Sequence, residues 1–219
     1  MDDKAQVLIK IATSYIDVGT GHDQERYLEI LSSSNDWGDD MQRYFKAGPS
    51  TCGLFARGVL RMAGVKSDLL TNKYVIGQAV ADIVAIAHYY DAWVLATKNP
   101  DKFPTAGDIW IINNPGANNE HVGLCVSDSL SYYNMGYIVN TVEGGQVPNS
   151  SYIRKFTRRF LKSNNNTYML GTRVLWGWVD HTKLPIPTYD PEYARDANML
   201  AFVQHVLPDA IDRDSKLDV

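Results

Sequence analysis

Apolar residues recur every three to four positions through the first part of the chain and every second position in much of the rest. Val7, Leu8, Ile11, Ala12 and Tyr15 share one face at the 3.6-residue period, which predicts an amphipathic helix over 4–18 ended by Gly19-Thr20-Gly21. A short helix is expected over 25–31, and a loop over 32–40. Phe55, Ala56, Val59, Leu60 and Ala63 mark another stripe, so a helix starts at Cys52. Ser50 and Thr51 are good caps after Pro49, and Gly64 is a stop. Ile76, Val80, Ile83, Val84 and Ala87 extend helical spacing over 72–97, where His88, Tyr89, Tyr90 and Trp93 read as packing or surface groups. The period then shortens. Strands are expected over 108–112, 121–127, 137–143, 168–170 and 173–179, separated by Gly, Asn, Pro and Ser clusters. This order predicts an α+β fold, N-terminal helices packed on an antiparallel β-sheet. Residues 1–180 are expected to form one domain and 181–219 a C-terminal extension with one helix, over 191–206.

Charge narrows the partners. The net charge is −4 and the pI near 5.7, which offers no basic field to nucleic acid or an anionic membrane. The basic run Arg154-Lys155-Phe156-Thr157-Arg158-Arg159 reads as a solvated face. No apolar run is long enough to span a bilayer, and Met1-Asp2-Asp3-Lys4 does not open a secretory signal. The five His and two Cys lack ligand-like spacing, so neither a metal nor another cofactor is expected. Cys52 and Cys125 are expected as free thiols in a reducing compartment.

The chemistry-bearing pair is Cys52 and His121. A thiol becomes a strong nucleophile when its thiolate is stabilised. The first turn of a helix supplies backbone N–H groups and the positive end of the dipole. A neighbouring imidazole takes a thiol pKa from about 8.5 to roughly 3.5–7.5. A Cys early in the chain with a distant His is the order of papain-like hydrolases. Alternation places His121, Gly123 and Cys125 on one strand face. Cys125 is four residues from His121, about 13 Å along a strand, too far for direct contact. A catalytic imidazole also needs an acceptor on its other nitrogen. Glu143 ends the strand Tyr137-Ile138-Val139-Asn140-Thr141-Val142-Glu143 and could lie opposite His121. Asn140 faces the other way, and Asp128 reads as a turn residue. The oxyanion would be received mainly by the Cys52 backbone N–H.

Four motifs carry a resemblance. They are Ser50-Thr51-Cys52-Gly53 at a helix start, Pro104-Thr105-Ala106-Gly107-Asp108-Ile109-Trp110 leading into a strand, His121-Val122-Gly123 opening the next, and Thr141-Val142-Glu143-Gly144 closing another. Together they resemble CHAP domains, the cysteine, histidine-dependent amidohydrolases/peptidases allied to NlpC-type cell-wall hydrolases. The resemblance implies a papain-like fold and cleavage of peptidoglycan at the sugar–peptide amide or within the stem peptide. It implies Cys52 as nucleophile, His121 as base and Glu143 as orienter. Two departures stand out: Thr51 where the family often has an aromatic, and Glu143-Gly144-Gly145 where it has Glu-Gly-Asn, with Gln146 as the available replacement. Such an enzyme, made in the cytoplasm without a signal peptide, would reach the wall through a secretion system or phage lysis. As a secreted effector it would have an immunity protein as partner. A cysteine hydrolase acting on another protein or amide, and a non-catalytic binding domain, both stay open.

Overall fold

The computed structural model describes residues 1–19, 22–31, 51–67, 79–113, 120–133, 135–146, 152–163 and 167–187. The loop expected over 32–40, Ser50, residues 72–78, the Gln146 side chain and the helix expected over 191–206 lie outside them.

Among the described residues, four α-helices precede the strands. α1 (Asp3–Ser14) starts where the Asp2 carboxylate accepts the Ala5 N–H at 2.8 Å, and it buries Ala5, Leu8, Ile11 and Ala12. It stops short of residue 18: Asp17 takes a positive φ of 65°. α2 spans Gln24–Leu31 and α3 Cys52–Met62. α3 ends in two bonds, Gly64 N–H to Arg61 carbonyl and Val65 N–H to Leu60 carbonyl, with Gly64 left-handed at φ 81°. α4 (Ala79–Tyr89) ends earlier than its apolar period suggested. Asp91 turns the chain with φ 51°, and Trp93–Leu95 forms strand β1 instead of the last helical turn. Arg57 of α3 donates to Asp82 of α4 at 2.8 Å, tying the two helices.

The remaining strands are β2 (Ile109–Ile112), β3 (His121–Cys125), β4 (Leu130–Ser131), β5 (Gly136–Gln146), β6 (Tyr152–Lys162), β7 (Tyr168–Leu170) and β8 (Arg173–Val179). Their neighbour order is β1-β8-β2-β3-β5-β6-β7, every pair antiparallel, and β7 also pairs with β8. That last pairing closes β8, β2, β3, β5, β6 and β7 into a six-stranded barrel. The papain-like α+β fold expected above is therefore corrected: the described residues form a closed antiparallel β-barrel with four α-helices.

Side-chain chemistry explains the closure. Strands closed into a barrel bury both faces where helices cover them. In β2 all four residues, Ile109-Trp110-Ile111-Ile112, are buried. Trp110 and Ile112 join Cys125, Tyr137, Val139, Phe160, Tyr168, Leu175 and Trp178 in the interior. Ile109 and Ile111, with Val122, Leu124, Val142 and Ile153, face the helices and pack with Leu8, Phe55 and Leu60. Strand β6 was not expected at all, because its Arg and Lys residues hid the inward Phe160. Among the described residues no helix is long and apolar enough to cross a membrane.

Candidate functional site

Three elements meet where β3 begins and β5 approaches its end. The apolar stripe of α3 packs the helix on the barrel, and this sets Cys52 in its first turn. Gly144 makes the approach possible. A Cβ there would sit 2.6 Å from Phe55 Cβ and 3.2 Å from the Thr51 carbonyl oxygen. Thr51 precedes the helix without a side-chain cap, because its hydroxyl is 2.6 Å from the Tyr27 hydroxyl. The helix start is thus held from α2 on one side and β5 on the other.

His121 and Glu143 both project from the interior face of the barrel wall. The register pairs Leu124 with Val142 and Cys125 with Thr141, which sets Glu143 across from Gly123 instead of His121. Glu143 reaches His121 diagonally, over the space a Gly123 side chain would fill. A Cβ on Gly123 would lie 2.8 Å from Glu143 Cγ and 2.4 Å from the Trp110 ring. The Trp110 ring meets the His121 ring edge-on, with centroids 5.6 Å apart.

The structure brings the three expected residues together. His121 Nε2 is 2.7 Å from Glu143 Oε2, and the ring shares a second hydrogen bond with the Cys52 side chain. That division leaves Nδ1 for Cys52. Both residues are nearly inaccessible, Cys52 at 4% and His121 at 6% exposure, and Glu143 is fully buried. Burial alone would lower the His121 pKa. The hydrogen bonds to Cys52 and Glu143, with the charges of both, outweigh it and raise the value from 6.5 to about 9. Burial would likewise raise the Glu143 carboxyl, but hydrogen bonds from Arg158 and then His121 hold it below the ordinary carboxylate range.

Two partners of Glu143 escaped sequence reasoning. The Thr141 hydroxyl donates to Oε1 at 2.5 Å. Arg158 Nε donates to the same oxygen at 2.7 Å, and its Nη2 donates to Oε2. Thr141 was legible as sharing the Glu143 face. Arg158 lies within the basic run 154–159, whose charge pattern reads as a solvated face and carries no sign of an inward member.

The other candidates lie elsewhere. Cys125 is buried in the barrel interior as a free thiol, and burial first, then the Asp108 and Glu143 charges, pushes its pKa well up. Asn140 accepts from the Thr157 hydroxyl at 2.8 Å, and Asp128 accepts the Ala106 N–H at 3.1 Å. His88 is exposed, and Arg57 is committed to Asp82.

Among the described residues one group has metal-ligand spacing: Asp108, Asp180 and His181. Both of its ring nitrogens already face carboxylates, Nδ1 at 2.7 Å from Asp108 and Nε2 at 2.9 Å from Asp2. This is a structural bridge between the start of α1 and the turn before β2. In comparisons with family models, curated proteins and solved structures, nothing matched the chain.

Proposed function

We propose that this chain is a cysteine amidohydrolase/peptidase with Cys52 as nucleophile, His121 as acid and base, and Glu143 as the group that orients His121. The observation that carries the reading is the continuous contact from Cys52 through His121 to Glu143. Two neutral packing residues would not need a buried carboxylate behind the imidazole, because an unpaired buried charge is costly. A second thiol in the same protein supplies the contrast: among the described residues, burial and the carboxylates of Asp108, Glu143 and Asp128 act on Cys125 and push its pKa up.

The chemistry follows from the geometry. His121 takes the Cys52 proton, and the thiolate attacks the amide carbonyl carbon. The resulting oxyanion falls near the first-turn backbone of α3, where the Cys52 N–H is the proposed donor. The tetrahedral centre then collapses: the C–N bond breaks, and the imidazolium gives its proton to the departing amine. A thioester remains on Cys52. His121 next takes a proton from water, whose oxygen attacks the thioester carbon; the C–S bond breaks, the imidazolium returns its proton to the Cys52 sulfur, and a carboxylic acid leaves. Glu143 stays ionised throughout and stabilises each imidazolium.

For substrate, the motif resemblance to CHAP domains favours a peptidoglycan amide, either N-acetylmuramoyl-L-alanine or a stem-peptide bond. On that reading the protein acts on the cell wall after delivery by a secretion system or phage lysis. An immunity protein that blocks the site is the matching partner for an effector. The closed barrel, which departs from the papain-like layout the resemblance implied, favours a second reading: the same chemistry on a different protein or amide. Incubation with purified sacculi and with soluble muropeptides, beside a Cys52→Ala control, separates the two. New amine termini or released stems produced only by the wild type support the cell-wall reading. Cleavage of another amide, with both wall substrates intact, replaces it.

A further inference from the structure

Arg158 was an unremarkable member of a charged run, yet its guanidinium is turned inward. The basic residue opposite Glu143 in the β5–β6 register is Arg154, and its guanidinium lies over the Tyr152 ring, 5.3 Å from the centroid. Arg158 pairs with Val139, four residues along β5 from Glu143, and reaches the carboxylate along the interior face. The Phe156 ring supports it, 4.3 Å from centroid to guanidinium carbon. The fork meets both carboxylate oxygens, the arrangement in which arginine recognition of a carboxylate is most directional. Its partner is fully buried, so this pair is not screened as surface pairs are.

We infer that Arg158 is a positioning residue of the Cys52 site, fixing Glu143 as an ionised, immobile carboxylate so that Glu143 can hold His121 cationic beside Cys52. The inference rests on the hydrolase reading above. A buried carboxylate facing only an imidazolium can take its proton, leaving two neutral groups and a thiol with no cation beside it. Arginine does not lose its proton in proteins, so Arg158 opposes that transfer permanently. Among the described residues, the charged and titratable groups on the elements around Glu143 include His121 and Cys125 from β3, Cys52 from α3, which meets His121, and Arg154 and Arg158 from β6. Cys125 stays a neutral thiol because burial raises its pKa.

The decisive experiment follows thiolate absorbance near 240 nm against pH, with Cys52→Ala subtracted to isolate Cys52, in the wild type and in Arg158→Gln. The expected result is a thiolate onset about one pH unit higher in Arg158→Gln. Adding Arg158→Gln to Glu143→Gln should move the onset no further than Glu143→Gln alone, since Arg158 acts through that carboxylate. Circular dichroism checks the fold. Should Arg158→Gln not fold, Arg158→Lys keeps the charge without the fork, and a smaller upward shift is expected. A wild-type onset left unmoved by either folded Arg158 variant overturns the inference while leaving the hydrolase reading standing. Absence of a Cys52 thiolate below pH 9 in the wild type overturns both.

Discussion

At the scale of single residues, the account depends on His121 being shared between a thiol and a carboxylate. His121→Ala is expected to reduce turnover nearly as far as Cys52→Ala, because residues acting as a unit do not contribute additively. Glu143→Gln keeps part of the activity, since an amide oxygen still accepts the ring N–H, though it loses the charge that favours imidazolium. Steady-state rates of the three variants check this ordering. The same contacts set a pH dependence. His121 has its pKa raised from 6.5 to about 9, so its interactions stabilise the fold fully below pH 6.5 and are lost as pH rises through about 9. Rates should fall over the same upper window, as the imidazolium that donates to the leaving amine is titrated away. These residues were legible from residue-level patterns: Cys52 follows from a stripe that starts where capping residues end, His121 and Glu143 from strand alternation. Arg158 was not, because a charge run carries no sign of which member turns inward.

At the scale of elements, the site exists because α3 touches β5 without a side chain between them. Gly144→Ala would force a Cβ to within 2.6 Å of Phe55, so α3 must shift. We expect a stability loss of about 1–3 kcal/mol, as for other overpacked contacts, with a larger proportional loss of activity. Gly123→Ala tests the other wall. It drives a Cβ into Trp110 and Glu143, and should displace the carboxylate from His121. Denaturation midpoints and rates measured together separate the two effects. Helices with long apolar stripes were readable, but their ends were not: α4 stops before Trp93, whose apolar period continues into a strand. β6 was unreadable because Arg154 and Arg158 share a face with Phe156 and Phe160, so no apolar alternation runs along it.

Over the whole molecule, closure of the barrel depends on β7, only three residues long, pairing with β6 and β8. Alternation identified Tyr168–Leu170 as a strand but contains nothing about how many neighbours it takes. The aromatic interior was the missed signal, since Trp110, Tyr137, Phe160, Tyr168 and Trp178 form one cluster. The chain is fastened at a second point by His181, which joins Asp2 at the start of α1 to Asp108 before β2. Burial would lower the His181 pKa, but Asp108 and then Asp2 raise it above 6.5. Its stabilisation is therefore present below pH 6.5 and lost as pH rises through that raised value. In His181→Gln, urea midpoints should drop most at acidic pH and converge toward the wild type at alkaline pH. A uniform drop at every pH would show that the bridge is not charge-dependent.

The central claim, that His121 activates Cys52, is tested most directly by site-resolved iodoacetamide alkylation, with mass spectrometry reporting each thiol across pH. The account predicts that Cys52 is alkylated well before Cys125 at neutral pH, and that His121→Ala removes this advantage. Equal rates at the two thiols, or a Cys52 rate indifferent to His121, would contradict it.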